Sequence, residues 1–383
     1  MSILQSENFA RICSNLDTTN NFSQFIDQLE VAINVNDKIQ IEMFEAIKNC
    51  LNNSDSVNQW FFTIPKNYTA PLIWITPVIN TGEIKFVWTV GKFNNCTNKI
   101  SNLLKNVSFE EPFHFEKLPP QTIFFDPYKS SQWQISPDLP IIENIHELDI
   151  FQVAYDGENI LEDIDQKLVM NTSFMEFQNQ KLIERVQRYC TQDLVNFCEI
   201  NLFPNILYLS ALHIELHNLG HFAGYYPYST SKNVPVYESV EEYRACLVAT
   251  VLGSKLLSAD LSKALSVHII LTRLLIYGLE PFLVQEKTHQ DIREITSALF
   301  FHLELKNLGL LSFDNQSMSL DTESLDFLVS IAKTLHKKEL EAINAENPQT
   351  VLQSIAIPMY AKAYPERNFP SDLANFYQNV KVI

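Results

Sequence analysis

The sequence predicts an α+β protein: a loop-rich N-terminal region with a small β-sheet over residues 1–150, then a mainly α-helical domain over residues 151–383. Three observations predict it. Apolar residues recur at helical spacing in residues 1–57 and again almost throughout from Ile160. Between these stretches lies a region of short β-rich runs, broken by Pro-rich segments and Asn-Thr-Gly, and all four tryptophans (Trp60, Trp74, Trp88, Trp133) fall in it. At 383 residues, 46% of them hydrophobic and only 8 glycine, the chain exceeds one typical core and has a globular, helix-rich composition.

Ser23–Val35 and Asp37–Leu51 read as helices, stopped by Asn52-Asn-Ser54. Ala70–Val78 and Glu83–Val90 read as strands joined through Asn80-Thr-Gly82 as a hairpin. Gln121–Phe125 and Gln132–Ile135 are two further short strands, and Pro119-Pro120 and Pro137–Pro140 make this region loop-rich. Asp163–Gln187 predicts one long helix or two. Thr191 is a candidate N-cap, Pro204 opens the next helix and Gly224 can close it. Pro235 starts a following helix. Helices over Ser258–Gln285 and His289–Leu308 come next, the latter ending at Gly309 in a C′ position. A small hairpin over Leu310–Phe313 and Ser317–Leu320 precedes a last helix from Thr322 to about Ala345, and the tail is mixed.

A formal charge of −17 argues against nucleic acid or an anionic membrane as the main partner, because both require a basic surface. The six cysteines form no Cys-x-x-Cys pair and read as reduced thiols of a cytoplasmic protein. Met1–Asn20 lacks the pattern of a secretory signal, and the apolar stretch His268–Val284 is interrupted by Arg273 and Glu280. No Gly-rich phosphate loop or Gly-x-Ser-x-Gly elbow is present.

The chemistry concentrates in two stretches. His213-Ile-Glu-Leu-His217-Asn-Leu-Gly-His221 sets three of nine histidines four apart, along one slowly drifting helical stripe. His217 and His221 at i,i+4 can hold one divalent ion between them, with His213 as a further candidate ligand. Glu238-Ser-Val-Glu241-Glu242-Tyr-Arg244-Ala245 lies just beyond, and Glu238, Glu241 and Glu242 are candidates for the carboxylate that completes a three-ligand site.

His217-Asn-Leu-Gly-His221 together with Glu241-Glu242-Tyr-Arg244-Ala245 resembles the paired motifs of the dipeptidyl peptidase III zinc metallopeptidases, His-Glu-x-x-Gly-His and Glu-Glu-x-Arg-Ala-Glu. The resemblance implies that His217, His221 and Glu242 are the metal ligands and that Glu241 orients one histidine from behind. The histidine spacing is one residue shorter than in that family, Cys246 replaces the last Glu, and Asn218 stands where the catalytic Glu belongs. Hydrolysis at such a site uses a carboxylate to take a proton from the attacking water, which an amide cannot do. Glu215 is about 200° around the helix from His217 and is no stand-in.

Three functional classes are consistent with these residues. The first is a zinc hydrolase in which Asn218 only hydrogen-bonds and Glu238, Glu241 or a substrate carboxylate acts as base. The second is a non-haem iron enzyme with a two-histidine, one-carboxylate triad, its aromatic segment Tyr225–Tyr228 suiting an aromatic or apolar small molecule. The third is a catalytically silent binding protein on the same frame. Metal identity separates them: zinc, iron or none. The expected partner is a peptide or small-molecule substrate, and the oligomeric state is open.

Overall fold

The computed structural model describes residues 22–33, 36–49, 64–65, 67–70, 72–80, 83–105, 122–133, 150–152, 168–223, 240–283, 289–314, 316–347, 350–351, 353–354 and 369–380. The fold is α+β and helix-rich. The chain divides into two compact units, residues 1–104 with 120–176, and residues 105–119 with 177–383.

The first unit opens with α1 (Phe22–Ala32) and α2 (Lys38–Asn49). Asp37 caps α2: the backbone N–H groups of Ile39 and Gln40 donate to its Oδ1 at 3.0 and 3.3 Å. Met43, Phe44 and Ile47 form the buried stripe of α2. Five strands come next, β1 (Leu72–Asn80), β2 (Glu83–Phe93), β3 (Ile123–Trp133), β4 (Ile150–Gln152) and β5 (Leu168–Asn171), in the spatial order β1-β2-β3-β5-β4. The expected hairpin is present, closed by the Asn80–Glu83 pair. Its turn residues Thr81 and Gly82 lie outside the described residues.

The unit departs from expectation in three places. The two short strands around residues 121–135 are one continuous β3. Pro127 sits opposite Gly91 where the register shifts, and this bulge lets a residue without an N–H stay in the strand. Asn95–Leu104 is a helix, α3, in a stretch where the sequence predicts none. Asn94 caps it, accepting from the Cys96 N–H at 2.7 Å. Finally, the helix expected over Asp163–Gln187 is a strand and then a helix, β5 and α4 (Thr172–Tyr189). Leu-Val-Met-Asn fits either pattern, and parallel pairing of Ile123–Phe125 with Val169–Asn171 decides for strand.

The second unit is helical. α4 leads through α5 (Gln192–Phe197), with Thr191 at its N-cap position but making no side-chain capping bond. A π-turn (Cys198–Leu202) and a 3₁₀ turn (Phe203–Asn205) containing Pro204 then deliver the chain to α6 (Ile206–Phe222). α7 (Glu241–Leu256) is buried at every position from Glu241 to Gly253, so it is a central helix packed on all sides. α8 (Ala259–Thr272), a π-helical stretch (Arg273–Gly278) and α9 (Leu279–Leu283) form one run. This run is long and apolar enough to cross a membrane, but 78% of its most apolar window is buried inside the protein. α10 (His289–Asn307) ends at Gly309, whose φ of 74° is the left-handed conformation expected there. The hairpin β6 (Leu311–Phe313) and β7 (Met318–Leu320), α11 (Phe327–Ile343) and α12 (Ser371–Asn379) complete the described elements.

α12 is fixed by Leu373, Phe376 and Tyr377, all fully buried, and by the Tyr377 hydroxyl donating to Leu274 O at 2.7 Å. At its start His302 Nε2–H donates to Asp372 Oδ2 at 3.2 Å, and Lys306 Nζ reaches the same oxygen. Burial holds the His302 ring below its ordinary pKa, against the pull of Asp372. Burial raises the Asp372 carboxyl, but its Lys306 and His302 contacts outweigh that and leave it below the usual carboxylate value. As pH falls below about 6.5, the unfolded chain takes up a proton at residue 302 before the folded chain does, so stability declines. The Asp372 contribution is lost in turn as pH falls below about 3.9, through the carboxyl's depressed value. The urea midpoint should therefore drop between pH 7 and pH 5, and His302→Gln should make that drop shallower. An unchanged slope would show that this ring does not contribute.

Candidate metal centre

α6 and α7 carry both motifs, and a glycine sets their distance. A Cβ on Gly220 would stand 2.7 Å from Ala245 Cα and 2.6 Å from Ala245 O. The two backbones therefore touch where only hydrogen fits, which brings the first turn of α7 against the last turn of α6.

At that contact three donor atoms converge. His217 Nε2 lies 3.0 Å from His221 Nε2 and 3.1 Å from Glu242 Oε2. Glu241, rotated about 100° from Glu242 on the helix, passes behind His221 and meets its Nδ1 at 3.1 Å through Oε1. Carboxylates only accept, so His221 carries its proton on Nδ1 and its Nε2 offers a lone pair. His217 carries its proton on Nε2, toward Glu242, and its Nδ1 is the bare nitrogen. Bonds of about 2.0–2.2 Å to a tetrahedral ion put donor atoms about 3.3 Å apart. The trio thus fits a divalent ion after an adjustment of a few tenths of an ångström and transfer of the His217 proton.

Two arginines hold Glu242. Arg273 Nη2 donates to Oε2 at 3.3 Å and Arg293 Nη2 to Oε1 at 2.8 Å. Arg273 belongs to the π-helical stretch, a local widening that recurs at functional sites. It also pairs with Glu294 and donates from Nε to Cys246 Sγ at 3.1 Å. Arg244 clamps Glu241 through Nε at 3.0 Å and Nη2 at 2.5 Å, and caps α6 by donating to Ala223 O. Glu339 adds a weaker contact to Arg244 at 3.6 Å. Four carboxylates (Glu241, Glu242, Glu294, Glu339) thus meet three guanidinium groups (Arg244, Arg273, Arg293) in this network, leaving one negative charge in excess.

Burial and neighbouring charges together set the protonation of these groups. Burial pushes the His217 pKa down to about 4, with His221 adding to the effect and Glu242 opposing it. Burial acts to raise Glu242, but its contacts with His217, His221 and Arg273 prevail and hold it well below the usual carboxylate range. Burial acts on Glu241 in the same sense and is likewise overcome, chiefly by Arg244, so this carboxyl is lowered too. Cys246 is pushed up to about 12 by burial, although Arg273 pulls it down.

A second cluster lies one helical turn toward the N-terminus of α6. Cys246 Sγ is 3.4 Å from His217 Nδ1 and 3.8 Å from His213 Nε2. The His268 ring of α8 stands edge-on to His213, with centroids 5.4 Å apart. Ser210 donates to Asn179 Oδ1 at 2.6 Å, so it accepts from His268 Nε2–H at 3.3 Å. That leaves His268 Nδ1 as a buried lone pair with no hydrogen-bond partner among the described residues.

Of the residues singled out by the sequence, His217, His221 and Glu242 come together. Glu241 stands behind His221. His213 faces Cys246 rather than Glu242. Asn218 is half-buried in the turn between the two histidines, and Glu215 is buried on the same helix. Glu238, Pro235, Gly224 and the aromatic segment Tyr225–Tyr228 lie outside the described residues. Sequence reasoning missed Arg273, Arg293 and Glu294, and gave Cys246 and His268 no role. A buried-type helix carrying an arginine, as at Arg273, was the one available signal.

The sequence matches no family model and no curated protein. Among solved structures it is similar to DPP III from Caldithrix abyssi, with a TM-score of 0.61 and 12% identity over 94% of this chain and 68% of that one. At that identity the likeness is one of fold: the chain has a DPP III-like fold, and His217, His221 and Glu242 are candidate metal-binding residues within it.

Because Gly220 sets the α6–α7 distance, Gly220→Ala should cost about 1–3 kcal/mol of stability, the usual penalty for overpacking. It should also weaken divalent-metal binding by moving Glu242 away from His217. Chemical denaturation and metal titration of the variant check both. Wild-type behaviour in each would mean the close approach is dispensable.

Proposed function

We propose that this chain is a metal-dependent hydrolase on a metallopeptidase-like frame, holding zinc through His217, His221 and Glu242, with peptides or small amide and ester substrates as its targets. The observation that carries the reading is the convergence of two imidazole nitrogens and a carboxylate oxygen, His217 Nε2 lying 3.0 Å from His221 Nε2 and 3.1 Å from Glu242 Oε2 and all three within 4.8 Å, backed by Glu241 on the far nitrogen of His221. The DPP III-like fold supports it. The ion would supply Lewis acidity at the reacting carbonyl and acidify water.

The chain's own residues restrict the chemistry. Glu241 has Oε1 shared by His221 and Arg244 Nη2 and Oε2 taken by Arg244 Nε, so it orients His221 and has no free oxygen for a substrate proton. Asn218 can donate or accept a hydrogen bond to a substrate but cannot remove a proton. Loss of general-base help typically costs 10²- to 10⁴-fold in rate, so the chain is a slow peptidase or one whose substrate brings its own base. A binding protein without chemistry is the second reading. It is favoured by the two arginines on Glu242, which neutralise that carboxylate without an ion.

Two experiments test this. Protein purified without added metal should hold about one equivalent of zinc, lost in His217→Ala and Glu242→Gln but only weakened, about 10–100-fold, in Glu241→Gln. Full zinc retention by His217→Ala would show that the ion binds elsewhere. Iron as the purified metal would favour oxygenase chemistry, and no stoichiometric metal the binding protein. Asn218→Glu should raise zinc-dependent cleavage of short peptides by about 10²-fold or more. A parent that already cleaves as fast as this variant would show that Asn218 carries no cost.

A further inference from the structure

We propose that His213 Nε2, His217 Nδ1 and Cys246 Sγ form a second metal site, selective for a soft monovalent ion, Cu(I), and that it competes with the first site through the shared His217 ring. Distances point to it first. Bonds of about 2.3 Å to sulfur and 2.0 Å to nitrogen put the two donor atoms about 3.6 Å apart around one ion. The observed separations, 3.4 and 3.8 Å, bracket that value. All three donor atoms lie within 4.8 Å of one another.

The protons agree with the distances. With its Nε2–H directed at Glu242, His217 presents a bare Nδ1 to Cys246, so this site needs no rearrangement of the ring. Ion binding displaces the thiol proton, which leaves to solvent, and takes the His213 tautomer with its lone pair on Nε2; Arg273 Nε–H already lies 3.1 Å from the sulfur to stabilise the thiolate that remains. His268 Nδ1, buried and unpaired, shows that the cluster holds more lone pairs than its own hydrogen bonds use.

The donor set names the ion. A thiolate with two imidazoles favours a soft metal. Cys246 is fully buried and His213 is 5% exposed, a dry setting that suits an ion of low coordination number. A monovalent ion with a thiolate is neutral and adds no charge beside Arg273, whereas a dication would stand next to that guanidinium.

Competition is a property of the ring. A neutral imidazole has one lone pair. A divalent ion among His217, His221 and Glu242 requires the His217 proton on Nδ1, where it faces Cys246 and blocks the second site. Cu(I) on Nδ1 keeps the proton on Nε2 and denies that nitrogen to the first site. Each ion therefore weakens the other by the same factor.

The test is an anaerobic titration of the reduced full chain with Cu(I), buffered by a competing Cu(I) chelator, read by near-ultraviolet sulfur-to-copper absorption and by X-ray absorption at the copper edge. Parent protein should bind one more equivalent than Cys246→Ser, with one sulfur and two nitrogens around that copper. His213→Gln should weaken this equivalent by more than about 100-fold. Cu(I) loading should weaken zinc binding by about tenfold or more in the parent but not in Cys246→Ser. Equal Cu(I) stoichiometry in parent and Cys246→Ser, or a copper edge without sulfur, would overturn the proposal. If Cys246→Ser fails to fold, His213→Gln and the parent's copper edge decide by the same criteria. Cu(I) binding at Cys246 in a parent that holds no zinc would uphold this site while sinking the zinc hydrolase; zinc at His221 with no copper at Cys246 would do the reverse.

Discussion

The contact of Gly220 with the backbone of Ala245 is the constraint on which the rest of the centre depends. Two helices of ordinary side chains pack with axes about 8–10 Å apart, and a bare glycine at the crossing lets the two backbones touch there. The first turn of α7 then faces the last turn of α6, and two adjacent glutamates, diverging by about 100°, do two different jobs. Glu242 reaches His217 Nε2, the nitrogen that faces His221 Nε2. Glu241 slides behind His221 and fixes which nitrogen carries its proton.

Such an arrangement buries charge, and the fold answers with charge. Glu241 and Glu242 are 0% and 6% exposed, and each is matched by guanidinium groups. Breaking one member of such a buried pair typically costs about 3–5 kcal/mol, because the other charge is left uncompensated. The arginines therefore act as part of the frame. Arg273 does most, since its three nitrogens separately reach Cys246, Glu294 and Glu242. It stands at the first residue of the π-helical turn Arg273–Gly278, where the helix widens.

How much of this was legible in the sequence depends on the range of each interaction. The histidine stripe, the hairpin at Asn80–Glu83 and the helix stop at Gly309 are local patterns, and each is where the pattern puts it. Glu242, twenty-one residues beyond His221, could be anticipated because the two short motifs occur in the expected order. The parallel pairing of β5 with β3 could not, because a four-residue apolar run takes its form from a partner about 45 residues away. Nor could the attachment of Arg273 and Arg293 to Glu242, which spans 31 and 51 residues and leaves no periodic trace. Asn218 is a different case. Its position was plain, and so was its chemical consequence, because an amide differs from a carboxylate wherever the chain folds.

The proton on His217 ties these strands together. In metalloenzyme sites the far nitrogen of a ligating histidine usually donates to an oxygen, and that bond holds the ring in one tautomer. The His221 ring makes such a bond, through Nδ1–H to Glu241. His217 has a sulfur there, and the acceptor that would fix its proton on Nδ1 is a thiol pushed up to about 12 and itself able to donate. Nothing at that end locks the ring, while Glu242 at the other end favours the proton on Nε2, the nitrogen a zinc ion would need. The two rings thus differ in what stands behind them, a carboxylate backed by arginine at His221 and a thiol at His217. That difference makes His217 the ring whose tautomer decides which of the two donor clusters can take an ion.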